Sequence, residues 1–228
     1  MTRVEMHAEF KLLLDKGDSL DAPSFLTEEI DHFLNLSQEK FISKRAFGNN
    51  VRRTGFEEDQ KRRDDLRTLI RQAKLNSNAP TTANKPNSRF VELPEDYRHS
   101  IQEEALIYTH KSEEDSSRRV SVKPITHDRY NKIIDDPFNK PEKNTVYRLG
   151  YGGSEYKNYV ELVCGEGQYI GVYYLRYLSH PLKIAFGQDC VLPKHTHEEI
   201  VKMAVVEALE NVEQPRYQTS KIELNEIE

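Results

Sequence analysis

The feature that most limits how this chain can fold is a change in its hydrophobic period. In the first third, apolar residues recur every three or four positions, the spacing of one helix face. Met6, Phe10, Leu13 and Leu14 share a stripe, and Gly17 then offers the left-handed stop that ends many helices. Ile30, Phe33, Leu34, Ser37 and Phe41 repeat the pattern in a second segment, where Ser24 or Thr27 can cap the start. Its Glu28 and Glu29 suit the positive end of the helix dipole, and Lys44 and Arg45 the negative end. A third helix is predicted from Phe56 to about Lys74, with Leu66, Leu69, Ile70 and Ala73 inward. Three helices on short connections read as a small bundle.

Beyond the polar, proline-interrupted stretch NSNAPTTANKPNS (76–88), the period changes from helical to alternating. The segments IQEEALIYTH, RRVSVKPIT, NTVYRLGYGG, YKNYVELVCG and QYIGVYYLRYL are rich in Val, Ile and Tyr and read as strands. YGGSEY has the paired glycines of a hairpin turn. One short helix is expected at HDRYNKIIDD, stopped by Pro137. The apolar run after Pro193 returns the pattern to helix. The predicted fold is therefore α+β: an N-terminal helical bundle completed by a late C-terminal helix, with a large, mostly antiparallel β insertion and an extended C-terminal tail. The expected boundaries are 1–75 for the first three helices, 76–88 for a linker, 89–193 for the β-rich insertion, 194–212 for the returning helix and 213–228 for the arm.

Composition narrows the function. Of the 228 residues, 36% are hydrophobic and 31% charged, a wet balance that suggests an elongated shape or surface reserved for partners. A net charge of −5 argues against a protein that coats nucleic acid nonspecifically. Two cysteines, Cys164 and Cys190, are too few for a disulfide framework and point to a reducing cytoplasm. The opening MTRVEMHAEF lacks the apolar centre of a signal peptide, and no stretch is long enough to span a bilayer, so no membrane partner is expected.

The most chemical-looking stretch is KHTHEEIV (194–201). Two helical histidines that share a metal stand about one turn apart, whereas His195 and His197 are two residues apart and have no neighbouring third ligand. A helix start explains more: Thr196 as the N-cap and Glu199 three residues on form a Thr-x-x-Glu capping box. Ile200, Ala204, Val205, Ala208 and Leu209 then face inward, with Val201 and Met203 broadening the stripe. No phosphate-binding loop, nucleophile elbow or cysteine nucleophile signature is present, so no cofactor and no catalytic residue are assigned.

Two other features could meet a partner. Eight of the twelve tyrosines lie between Tyr147 and Tyr177, beside Arg148, Lys157 and Arg176. They could stack bases on a sheet or simply pack half-buried strands. Residues 44–74 carry ten Lys/Arg against five Asp/Glu, either the solvated side of a helix or a face for an acidic partner or passing DNA. The tail ends in KIELNEIE, where Ile222, Leu224 and Ile227 are candidates for a subunit interface, by strand addition to a neighbouring sheet or else as an unstructured acidic terminus.

The succession LPEDYRHSI, VSVKPITHDRYNKIIDDPFNKP, VYRLGY, YLRYLSHP and LPKHTHEEIVKMAVVEALE resembles the head–tail connector, or portal adaptor ring, proteins of tailed phages, in particular crAss-like phages. The resemblance spans roughly Leu93 to Glu210, and the segment SFLTEEIDHFLNLSQEKFISKRAFG resembles the opening of such a protein. It implies a structural virion protein of the neck or tail, assembled in the host cytoplasm and without catalytic residues. Its implied partners are the portal, the next tail or adaptor ring protein, and copies of itself in a ring of twelve. Genomic DNA would pass through the channel without sequence-specific binding. The β insertion is larger than in the smallest helical adaptors. The alternative carried forward is a nucleic-acid-binding module that uses the tyrosine-rich sheet.

Overall fold

The structure, a computed structural model, describes residues 1–14, 24–47, 57–76, 85, 87–109, 117–141, 144–152 and 158–211. The chain divides into two compact units: residues 1–69 with 181–228, and residues 70–180.

The first unit is helical. Its elements are α1 (Arg3–Leu14), α2 (Thr27–Ala46), α3 (Gln60–Leu66) and a late helix, Lys194–Thr196 as a 3-10 turn leading into His197–Asn211. α5, as that late helix is numbered, packs on both α1 and α2. The stripes read from the sequence meet here. Met6 and Phe10, Ile30, Leu34 and Phe41, and Ile200, Ala204 and Ala208 are all buried. Alanines at 204 and 208, both fully buried, are small enough to let neighbouring helix backbones approach closely. α2 starts differently from expectation. Leu26 holds the cap position, and its N–H donates to Glu29 Oε2 at 2.7 Å. Asp59 caps α3 by accepting from the N–H of Lys61 at 2.9 Å.

The expected third helix to Lys74 stops at Leu66. A 3-10 turn covers Arg67–Leu69, and β1 (Ile70–Asn76) follows. The spacing of Leu66, Leu69, Ile70 and Ala73 fits a helix, but Ala73 and Leu75 also alternate, and a complete antiparallel partner strand decides the matter. Ladder hydrogen bonds and sheet packing override local periodicity there.

The second unit is a seven-stranded curled sheet. Its strands are β1, β2 (Ser88–Glu92), β3 (Tyr97–Tyr108), β4 (Arg118–Pro124), β5 (Thr145–Gly152), β6 (Asn158–Val163) and β7 (Tyr169–Ser179), in the order β1-β7-β3-β4-β5-β6-β2. All pairings are antiparallel except β4 with β5. A parallel pair needs a crossover connection, and α4 (His127–Asp135) lies within it. The curl brings some Cα atoms of β1 and β2, the two edges, within 8 Å of each other. Alternation sorts the side chains between the faces. Val146, Val160, Leu162, Ile170, Tyr173 and Leu175 join one core. Tyr147, Leu149 and Val163 form the second, with Tyr130, Ile133 and Ile134 of α4 packed on it.

Candidate functional site and assembly surfaces

In the HTHEE stretch, the two histidines have unlike surroundings. His195 Nε2 donates to Asp65 Oδ1 at 2.8 Å, with its ring still half in solvent. His197 is buried, donates through Nε2 to the Leu192 carbonyl at 2.7 Å, and accepts from the Met1 amine at 2.9 Å. Burial disfavours its cation and lowers its pKa below the usual histidine value. The capping box is not formed. Thr196 ends the 3-10 turn, with its hydroxyl donating to the Pro193 carbonyl at 2.9 Å. Glu199 is taken by Arg45, whose Nη2 donates to both carboxylate oxygens at 2.9 and 2.8 Å. A buried guanidinium draws a carboxylate more strongly than a backbone N–H does, which is the physical reason for the exchange.

Arg45 also donates through Nε to Asp65 Oδ2 at 2.9 Å and lies over the Phe41 ring. One arginine of α2 thereby binds carboxylates of α3 and α5. A second clamp joins α1 to α2: Asp31 accepts from Arg3 Nε and Nη2 at 2.9 and 2.6 Å and from His7 Nε2 at 2.7 Å. Burial works against the Asp31 carboxylate, but the Arg3 and His7 bonds outweigh it and hold its pKa below the ordinary aspartate value. These charges join helices. Among the described residues, no group of three or more His, Cys, Asp or Glu could hold a metal ion.

The tyrosine-rich strands turn much of their aromatic surface inward. Tyr147, Tyr173 and Tyr177 are buried. Tyr173 donates to Glu103 at 2.9 Å, Arg148 Nε lies 3.0 Å from the same carboxylate oxygen, and Tyr177 donates to Asp96 at 2.9 Å. Rings held this way cannot stack on bases. In the basic run, Arg45 and Arg62 are buried and Arg71 pairs with Asp96 at 2.7 Å. Ile222, Leu224 and Ile227 lie outside the described residues.

What each unit does present is a phenylalanine on a braced turn. Phe138 is 93% exposed. Its N–H donates to Asp136 Oδ1 at 2.9 Å, Asn139 Nδ2 donates to Asp136 Oδ2 at 2.6 Å, and the Tyr147 hydroxyl ties down the Asn139 carbonyl at 2.5 Å. Phe186 is likewise 93% exposed, at the tip of a turn closed by paired bonds between Ala185 and Gln188 at 3.2 and 2.9 Å. Gly187 there has φ +77°, a conformation other residues rarely enter. Neither phenylalanine was singled out from sequence, although a Phe between turn formers, as in DPFN and FGQD, is the available signal.

A family model described as phage tail ring protein 3/4 matches residues 1–220. The chain belongs to the phage tail ring protein 3/4 family. A comparison with curated proteins finds no match. As a tail ring protein, it is a structural component of the virion tail and not an enzyme, and it assembles in a ring with other phage tail proteins. Exposed aromatic tips and inward-turned charge suit that work, because docking surfaces gain from rigid, desolvatable anchors.

Proposed function

We propose that this tail ring protein is an adaptor: a closed homo-oligomeric ring, matching a twelve-subunit portal, that joins the portal to the next ring of the tail and surrounds the DNA exit channel. The observation that carries the reading is the pair of braced turns presenting Phe138 and Phe186, together with charged groups spent on holding helices. A net charge of −5 supports the channel role, since a ring that held DNA tightly would hinder its passage. The C-terminal arm, through Ile222, Leu224 and Ile227, reaches a neighbouring subunit. Assembly takes place in the host cytoplasm, before the ring joins the neck.

The experiment is co-assembly of the purified chain with its portal, followed by electron microscopy. The reading expects a ring seated coaxially on the portal and no strong uptake of duplex or single-stranded DNA by the free chain at physiological salt. A chain that ignores the portal and binds single-stranded DNA tightly would support the nucleic-acid-binding alternative instead.

A further inference from the structure

We infer that Phe186 of one subunit docks on the outer face of α2 of the next copy in the ring, so that the helical unit carries both halves of the subunit interface. The inference rests on the adaptor reading and goes further in naming the contact.

The knob is a built device. Its segment is fastened to α2 by Asn35, which donates to the Ile184 carbonyl at 2.9 Å and accepts from the Ile184 N–H at 2.7 Å. Gln38 adds a bond to the Leu182 carbonyl at 3.1 Å, and Ile184 itself is buried. Beyond the turn, Cys190 Sγ donates to Gln38 Oε1 at 3.2 Å, so both sides are anchored, Phe186 loses little backbone freedom on binding, and half-exposed Leu182 broadens the apolar tip.

The receptacle is an open groove along α2, lined by Leu36, Glu39, Lys40, Ser43, Lys44 and Phe47. Leu36 and Phe47 are apolar residues left 37% and 55% exposed on a helix whose opposite face is core. Lys40, held by Glu207 at 2.6 Å but still half-exposed, fixes a cation beside these apolar walls, and an aromatic ring attracts a cation over its face.

The placement selects the occupant. At 3.6 residues per turn, Asn35 and Gln38 lie about 140° around the helix from Leu36 and Phe47. The knob and the groove therefore face different directions on one unit, and the turn's fastening keeps Phe186 from folding back into its own groove. Two unlike complementary patches that face apart favour a head-to-tail contact over a reciprocal twofold pair, and such a contact builds a ring when its rotation closes. A second copy of this chain is the partner that supplies the missing half.

The test uses the full chain and reads ring formation by native mass spectrometry. Phe186→Ala should leave the melting curve of the dilute monomer unchanged and lower the ring population by about tenfold or more, the effect of truncating an aromatic anchor. A photo-crosslinking phenylalanine analogue at position 186, in a mixture of isotopically light and heavy chains, should join to peptides containing residues 36–47 of another copy. Normal rings with Phe186→Ala, or cross-links to segments of the chain outside residues 36–47, would overturn the contact and leave the adaptor reading standing. A wild-type chain that forms no ring, either alone or with portal present, would sink the adaptor reading and the contact with it.

Discussion

Asp65 of α3 and Arg45 of α2 meet at 2.9 Å with only 2% and 5% of their side chains exposed. A buried pair of this kind is expensive to leave half-made, since Asp65 would keep only the His195 hydrogen bond at 2.8 Å and little water reaches it. Arg45→Met should therefore destabilise the helical unit by about 3–5 kcal/mol, the usual cost of orphaning a buried charge. Urea unfolding followed by circular dichroism measures it. A loss below about 1 kcal/mol would place the pair among exposed bridges of little worth.

Acid should loosen the same unit. Asp31 has a folded pKa below its unfolded value, so its contribution is present above the ordinary aspartate range and is lost as pH falls through the folded value. His197 is also lowered, so its stabilising preference for the neutral ring is intact above the free histidine value near 6.5 and erodes below it. Melting temperature should thus hold near neutrality and fall from about pH 6.5 downward. Asp31→Asn should remove the lower part of that fall, and His197→Gln the upper part. A wild-type melting temperature that does not change between pH 7 and pH 4 would contradict both assignments.

Both thiols should be slow nucleophiles. Burial pushes Cys164 up to about 11, and its Sγ donates to the carbonyls of Asn87 and Gln168 at 3.1 and 3.3 Å. Cys190 is raised by burial too, with Sγ donating to Gln38 Oε1 at 3.2 Å. Little thiolate exists at neutral pH, so a thiol reagent should label the native protein far more slowly than the urea-unfolded one. Fast labelling of either cysteine in the native state would show that its pocket opens readily.

Phe138→Ser should separate folding from assembly. The side chain packs on little, so stability should stay within about 0.5 kcal/mol, as for surface changes away from packed features. Affinity for the ring's partners should drop, which a pull-down with portal and neighbouring tail protein can read. Unimpaired binding to every partner would leave Phe138 as an incidental surface residue.

The parts of the fold legible in the sequence were those where local pattern and tertiary packing agree. The stripes of α1, α2 and α5 fill the core from the positions their spacing names, Leu13 of α1 being only partly buried, and Tyr147, Tyr173 and Tyr177 pack into strands as their alternation suggests. β1 was illegible because Leu66, Leu69, Ile70 and Ala73 keep the helical period while only Ala73 and Leu75 alternate, and the pairing with β7, far along the chain, decides against the helix. Glu199 failed for a similar reason. A capping box is a local arrangement, and nothing near position 199 shows that Arg45 will arrive there buried and in need of a carboxylate. The exposed phenylalanines escaped notice because sequence patterns reveal what is buried more readily than what a turn holds out.

The central claim is that this chain closes into a ring that seats on the portal. Native mass spectrometry of the purified chain, alone and mixed with portal, tests it most directly. The account predicts one dominant closed species whose mass is an integral multiple of the subunit, matching the portal's stoichiometry and binding it one ring to one. A chain that remains monomeric in the presence of portal, or that forms open-ended assemblies of indefinite mass, would contradict it.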